Sequence, residues 1–229
     1  MDVLPVRVQV AVVQQLNLNS NRMQTLRENI LMIFIKNPVP GRVKTRLAAT
    51  IGDEGALAIY QKLLKHTLQI TVALKVKKMI FYSDFIPVND AWDENDFQQE
   101  LQRGADLGEK MKNAFQYVFE KHYGKAIIIG SDCFELSTAH LHQAFDRLNE
   151  LDTVIGPARD GGYYLLGMNS LQEDFFQNKT WSSNRVYRDT MQDIDRLKLS
   201  CFNLPVLKDI DEADDLPPGL RLQYKPIVS

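Results

Sequence analysis

Four cations stand within eleven residues, Lys36, Arg42, Lys44 and Arg46, and no acid occurs between Glu28 and Asp53. Arginine offers planar forks to phosphate oxygens and lysine a point charge. Pro38, Pro40 and Gly41 stiffen the segment and let its backbone approach a ligand closely. Two readings are open, a solvated basic loop or an anion site. The position directly after an apolar run favours the anion site, because ligands of open α/β sheets bind where strands end. The spacing is not that of a Walker A loop, since no glycine precedes Lys44 directly.

Two further segments carry chemistry. Gly130-Ser131-Asp132-Cys133 follows the run AIII. A carboxylate at such a strand end either holds a hard divalent ion, together with substrate phosphates, or caps a turn. Gly156 to Tyr164 (GPARDGGYY) places Asp160 at the apex of a glycine-rich turn between apolar runs. This is the signal of a hairpin, and its tip can also line a pocket. The acidic cluster Asp209, Asp211, Glu212, Asp214 and Asp215 contains either a second metal ligand or the acid-rich first turn of a helix. His66, His122, His140 and His142 form no ligand spacing, and no GxSxG or GxGxxG is present.

The elements that must position these residues alternate between strands and helices. Leu31 to Ile35, Lys78 to Ser83, Ala126 to Ile129, Asp152 to Gly156, Tyr163 to Gly167 and Cys201 to Leu207 read as strands. Apolar stripes of 3.6-residue period predict helices over Asp53 to Val72, around Leu107 to Val118, around Leu141 to Leu148 with Ser137 or Thr138 as cap, and over Arg185 to Leu197. Such alternation implies one α/β domain with a mostly parallel sheet and helices on both faces.

Composition bounds the function. The 229 residues carry 27 basic and 29 acidic side chains, a net charge of −2. A protein that coats nucleic acid is far more basic, so no nucleic-acid partner is expected. The two cysteines, Cys133 and Cys201, offer no disulfide or zinc framework and fit a cytoplasmic location. The longest apolar run, Ile30 to Ile35, is far short of the roughly 20 residues that cross a bilayer, so no membrane partner is expected. The first 28 residues, rich in Gln and Asn, read as a separate leader.

Taken in order, IFIKNPVPGRVKTRLAATIG, GADLGEKM (Gly104 to Met111), IIIGSDCFEL and VIGPARDGGYYLLG resemble a family of bacterial glycosyltransferase-like proteins, associated with radical-SAM or selenium-related proteins. The family belongs to the nucleotide-diphospho-sugar transferase superfamily with the GT-A fold. The resemblance covers roughly residues 30 to 216. It implies a single Rossmann-like transferase domain over 29–216, a nucleotide-binding half followed by an acceptor-binding half, which leaves residues 1–28 as a leader, a mobile arm or a matter of start-site choice and 217–229 as a tail. It also implies nucleotide contacts from Lys36, Pro40, Gly41, Lys44, Thr45 and Arg46, with Gly104, Asp106, Leu107 and Gly108 framing base or sugar. Asp132 resembles the metal-binding aspartate and Asp211 a second ligand for Mg²⁺ or Mn²⁺. Asp160, Gly161, Gly162 and Tyr163 would line the acceptor side with Trp181 and Ser182 nearby; Asp160 is the candidate for acceptor orientation or general base, and Asp132 the other catalytic candidate. Phe134 stands where the family usually has Pro, Ser183 where Thr is common, and Asp132 lacks the second aspartate of a DxD.

The function implied is a metal-dependent transferase acting on a nucleotide-activated sugar, with a homodimer as the expected assembly. A nucleotidyltransferase that releases pyrophosphate from a nucleoside triphosphate is the alternative, and a non-catalytic nucleotide-binding module is a third. A single aspartate at the end of the AIII strand is more typical of nucleotidyltransferases.

Overall fold

A computed structural model describes residues 28–88, 92 and 97–221. The run ILMIFI becomes β1 (Ile30–Ile35), the middle of the sheet. It pairs in parallel with β2 (Lys77–Tyr82) on one side and β4 (Ala126–Ile129) on the other. Outside β2 lies β3 (Phe97–Leu101), also parallel. Beyond β4 come β6 (Tyr163–Met168), β5 (Thr153–Pro157) and β7 (Cys201–Asn203). The order is β3-β2-β1-β4-β6-β5-β7, and only β6 runs antiparallel to its neighbours. The mostly parallel sheet with helices on both faces is therefore the observed architecture.

Alternation within the strands builds the two faces. Leu31, Ile33 and Ile35 enter the core shared with α3 (Thr138–Arg147), which Ser137 caps. Ile30 and Met32 enter the opposite core, shared with α2 (Leu107–Glu120) and α4 (Val186–Leu197). A third cluster fastens α1 (Thr45–Val72) through Leu47, Ile59, Tyr60 and Leu63 to Ile210 and Leu216.

Three elements depart from the sequence reading. Helix α1 begins at Thr45 rather than Asp53, and its two parts are separated at Gly52 (φ 78°, ψ 163°). The early part forms because Val43 and Leu47 bury against the segment around Ile210, a contact that no local periodicity announces. Strand β3 (FQQEL) was not expected, because only its two ends are apolar. Pairing with β2 and burial of Phe97 make it a strand. Finally, β7 ends at Asn203. Pro205 has no N–H to offer a ladder, and parallel pairing resumes only as an isolated bridge between Ala158 and Leu207. The leader lies outside the described residues except for Glu28, whose carbonyl accepts from the Gly124 N–H at 3.0 Å. Of the tail, residues 222–229 lie outside them, and Pro218–Arg221 form the short helix α5.

Candidate functional site

The chain runs outward from β1 to β2 and β3, then crosses back to β4 on the other side of β1. The reversal opens a crevice beyond the carboxyl ends of β1 and β4, the place where open α/β sheets bind ligands. Both the cationic loop and Gly130-Ser131-Asp132 leave the sheet there.

Lys44 occupies the left-handed N-cap of α1 (φ 49°, ψ 47°), and no side chain caps this helix. Its Nζ lies 3.0 Å from Asp132 Oδ2 and 2.9 Å from Asp211 Oδ1. The lysine side chain is 6% exposed, against 42% for Asp132 and 41% for Asp211. Burial pushes the Lys44 pKa down, but the two carboxylates outweigh it and hold the ammonium well above its ordinary range. Burial likewise works against charge on Asp132, and Lys44 reverses that effect, keeping the carboxyl below its usual range. The backbone supports the arrangement. Ile210 N–H donates to Asp132 O at 3.0 Å, and Asp211 N–H donates to Asp215 Oδ2 at 2.9 Å. At Gly130 a Cβ would stand 2.8 Å from Asp132 Oδ1, so glycine makes room for the carboxylate.

Asp209 lies in the field of these carboxylates. Burial first, then the charges of Asp132 and Asp160, push its pKa up to about 8. Its Oδ1 is buried with no hydrogen-bond partner. Asp132 and Asp211 thus present the ammonium with oxygen donors, the kind that hard divalent ions take. Among the described residues no three Asp, Glu, His or Cys side chains already converge as a cage.

Other expected site residues fall nearby or elsewhere. Lys36 is exposed, and its charge reaches Asp132. Pro40 and Gly41 (φ 72°) form the exposed turn before α1, and Thr45 and Arg46 its exposed first turn. Asp106 caps α2, its carboxylate accepting from Glu109 N–H at 2.9 Å. Gly104 (φ 146°) closes the turn before it, and Leu107 is 43% exposed. Gly108 lies under the Trp181 indole, where a Cβ would be 2.1 Å from Cε2 and Nε1. Trp181 thereby joins the GADLG segment to the loop before α4. In the same loop are Ser182 (φ 59°) and Asn184, whose carbonyl lies against Gly161 (φ 88°). Asp160 accepts from Gly162 N–H at 2.8 Å, so the turn reading holds while its charge still acts on Asp209. Tyr163 Oη lies 3.9 Å from Met111 Sδ, and burial raises its pKa.

Two positioning groups escaped the sequence reading. Tyr60 falls on the apolar stripe of α1 and reads as core. Its hydroxyl accepts from Lys36 N–H at 2.8 Å, donates to Lys36 O at 3.0 Å and lies 3.2 Å from Ser131 Oγ. It therefore ties the ends of β1 and β4 together across the crevice, and burial pushes its pKa up to about 12. Asn37, 2% exposed, accepts from Asp84 N–H at 2.9 Å and donates to Phe85 O at 2.8 Å, fixing the loop after β2 to the loop after β1. Only its proline-flanked place at a strand end could have marked it.

Residues 64–183 match the family described as "Uncharacterized protein conserved in bacteria (DUF2064)". A crystal structure from Desulfovibrio desulfuricans G20, of a protein provisionally named nucleotide-diphospho-sugar transferase, is 32% identical with a TM-score of 0.75, covering 83% of this chain and 85% of that one. The 4-diphosphocytidyl-2C-methyl-D-erythritol synthase of Anaerococcus prevotii DSM 20548 is 8% identical with a TM-score of 0.55, over 86% of this chain and 96% of that one. Another synthase of that name is 11% identical with a TM-score of 0.52, over 82% and 94%. The two synthases share the fold alone. No curated protein matches the sequence. Among the described residues no helix is long and apolar enough to cross a membrane.

Proposed function

The chain belongs to the bacterial DUF2064 family and has the fold of the nucleotide-diphospho-sugar transferases, and on that premise we propose that it transfers a glycosyl group from a nucleotide-activated sugar. The observation that carries this reading is the Lys44 ammonium between Asp132 and Asp211 at the β1/β4 crevice. The name of the 32% identical relative supports it. The four ordered motifs support the narrower assignment to the type associated with radical-SAM or selenium-related proteins. A cytoplasmic homodimer is the proposed setting.

In this reading Lys36, Arg42 and Arg46 bind the donor diphosphate beside the uncapped start of α1, where helix N–H groups favour anions. Gly104, Asp106, Leu107 and Gly108 frame the base or sugar. Gly161, Gly162, Tyr163, Trp181 and Ser182 line the acceptor side, and Asp160 orients the acceptor or takes its proton. Tyr60 holds the two strand ends at fixed separation. Asp132 and Asp211 would hold Mg²⁺ or Mn²⁺; the oxygen-only donor set and the orphaned Asp209 Oδ1 support that fit. Such an ion supplies charge neutralisation at the leaving diphosphate.

One observation favours the second reading, a nucleotidyltransferase. Two residues after Asp132 stands Phe134, and two before it Gly130, so no carboxylate completes a DxD with Asp132.

Thermal unfolding against nucleoside tri- and diphosphates and nucleotide sugars, with and without Mg²⁺ or Mn²⁺, tests both, because a ligand of the native state raises the midpoint. A metal-dependent rise with one nucleotide sugar, lost in Asp132→Asn, is the expected result. A rise with a triphosphate alone, with pyrophosphate released, establishes the second reading. No rise with any nucleotide refutes both.

A further inference from the structure

Lys44 is placed unlike a lysine that waits for phosphate. Its ammonium is nearly fully covered and bonded to two carboxylates that are themselves two-fifths exposed. The backbone that carries it is held in a left-handed turn, at a cost that the surrounding structure must offset. The carboxylates come from distant parts of the chain: Asp132 is 88 residues from Lys44 and Asp211 is 167. They are drawn together by the Ile210 N–H bond to Asp132 O and by the α1 cluster around Ile210. The one ammonium is bonded to two carboxylates, so negative charge is in excess at the pair.

A divalent ion held by Asp132 and Asp211 would need the oxygens that the ammonium now occupies. Two cations at one pair of oxygens repel each other, and little solvent reaches Nζ to screen them. A lysine keeps three donors on a flexible four-carbon stem, so it can change partner while its α-carbon stays fixed. On the transferase reading, the anion that substrate would bring would lie along the same loop, between Lys36 and Arg46.

We infer that Lys44 is a resident counter-ion which gives up Asp132 and Asp211 to an incoming divalent ion and moves to the substrate phosphate. Ion and nucleotide consequently bind as a unit, and each binds weakly alone. This rests on the transferase reading for the phosphate half; the competition between ammonium and metal stands on the geometry alone.

Mn²⁺ binding, followed by the loss of the free-ion electron paramagnetic resonance signal and with no nucleotide present, tests the competition. Lys44→Met removes the competing charge and is expected to bind Mn²⁺ about tenfold more tightly than the wild type. Lys44→Gln, which keeps a hydrogen-bond donor for the carboxylates, guards against a folding defect and is expected to show the same direction. The gain must vanish when Asp211→Asn is added. Unchanged or weaker Mn²⁺ binding in both lysine variants overturns the inference, as does a gain that survives Asp211→Asn. In a second arm, the nucleoside diphosphate giving the largest thermal shift is added. It is expected to tighten Mn²⁺ about tenfold in the wild type and much less in Lys44→Met. If no nucleotide or nucleotide sugar binds, the transferase reading fails, while the metal-only arm still decides whether Lys44 competes.

Discussion

Gly108→Ala provides a test in which the sign of the effect depends on one neighbour. In an ordinary helix interior, replacing glycine by alanine stabilises by about 1 kcal/mol, because glycine loses more backbone freedom on folding. Gly108 is the second residue of α2 and is buried, so at most that gain applies. However, a Cβ there would stand 2.1 Å from Cε2 and Nε1 of Trp181 and 2.3 Å from Cζ2. The indole must leave. Trp181 is half-buried against the Met32 and Phe115 cluster. Exposing about 100 Å² of its ring at about 25 cal/mol per Å² costs roughly 2.5 kcal/mol. The net for Gly108→Ala in the wild type is therefore a loss of about 1.5 kcal/mol, or about 3–6 °C in midpoint for a domain of this size. In a Trp181→Ala background the obstacle is gone, and the same substitution should stabilise by up to about 1 kcal/mol. Urea unfolding followed by far-ultraviolet circular dichroism on the four proteins of the cycle gives the coupling directly. A loss of equal size in both backgrounds would refute the steric account and show that glycine serves α2 for another reason.

Two more outcomes follow from the geometry. Tyr60→Phe leaves the Lys36 N–H and carbonyl without their partner and should cost about 2 kcal/mol, measured by urea unfolding. Tyr164→Phe, which loses one bond to Pro205 O, should cost about half as much; equal losses would show that Tyr60 is no more than a core aromatic. Asp209, held protonated in the folded chain up to about pH 8, ionises in the unfolded chain from its ordinary value of 3.8 upward. Unfolding then releases a proton in that window, and stability falls as pH rises by at most about 1.4 kcal/mol per unit. Asp209→Asn should therefore gain on the wild type steadily from pH 5 to pH 8 in chemical denaturation, and a pH-independent difference would disprove the assignment.

Apolar runs and stripes made most of the fold legible. ILMIFI, AIII and YYLLGM could hardly be anything but buried strands, and the hairpin at Asp160-Gly161 formed as its turn residues require. FQQEL was illegible because its strand state comes from pairing with β2, while its own side chains carry little periodic signal. In the candidate site, residue type marked Lys44, Asp132 and Asp211 separately. Tyr60 was hidden because an amphipathic tyrosine on a core stripe shows its apolar body in the pattern and its hydroxyl only in three dimensions.

By itself the sequence determined the alternation of strand and helix, the uncompensated cations after the first strand and the carboxylate after the run AIII. These are local matters of periodicity, charge and turn chemistry. Only the tertiary structure decided which charge meets which. The crossover from β3 back to β4 puts Asp132 beside the loop of β1, and the burial of Ile210 and Leu216 against α1 carries Asp211 to Lys44. Burial patterns record that a side chain is inside or outside; they hold no record of its partner, because that is set by how distant elements pack.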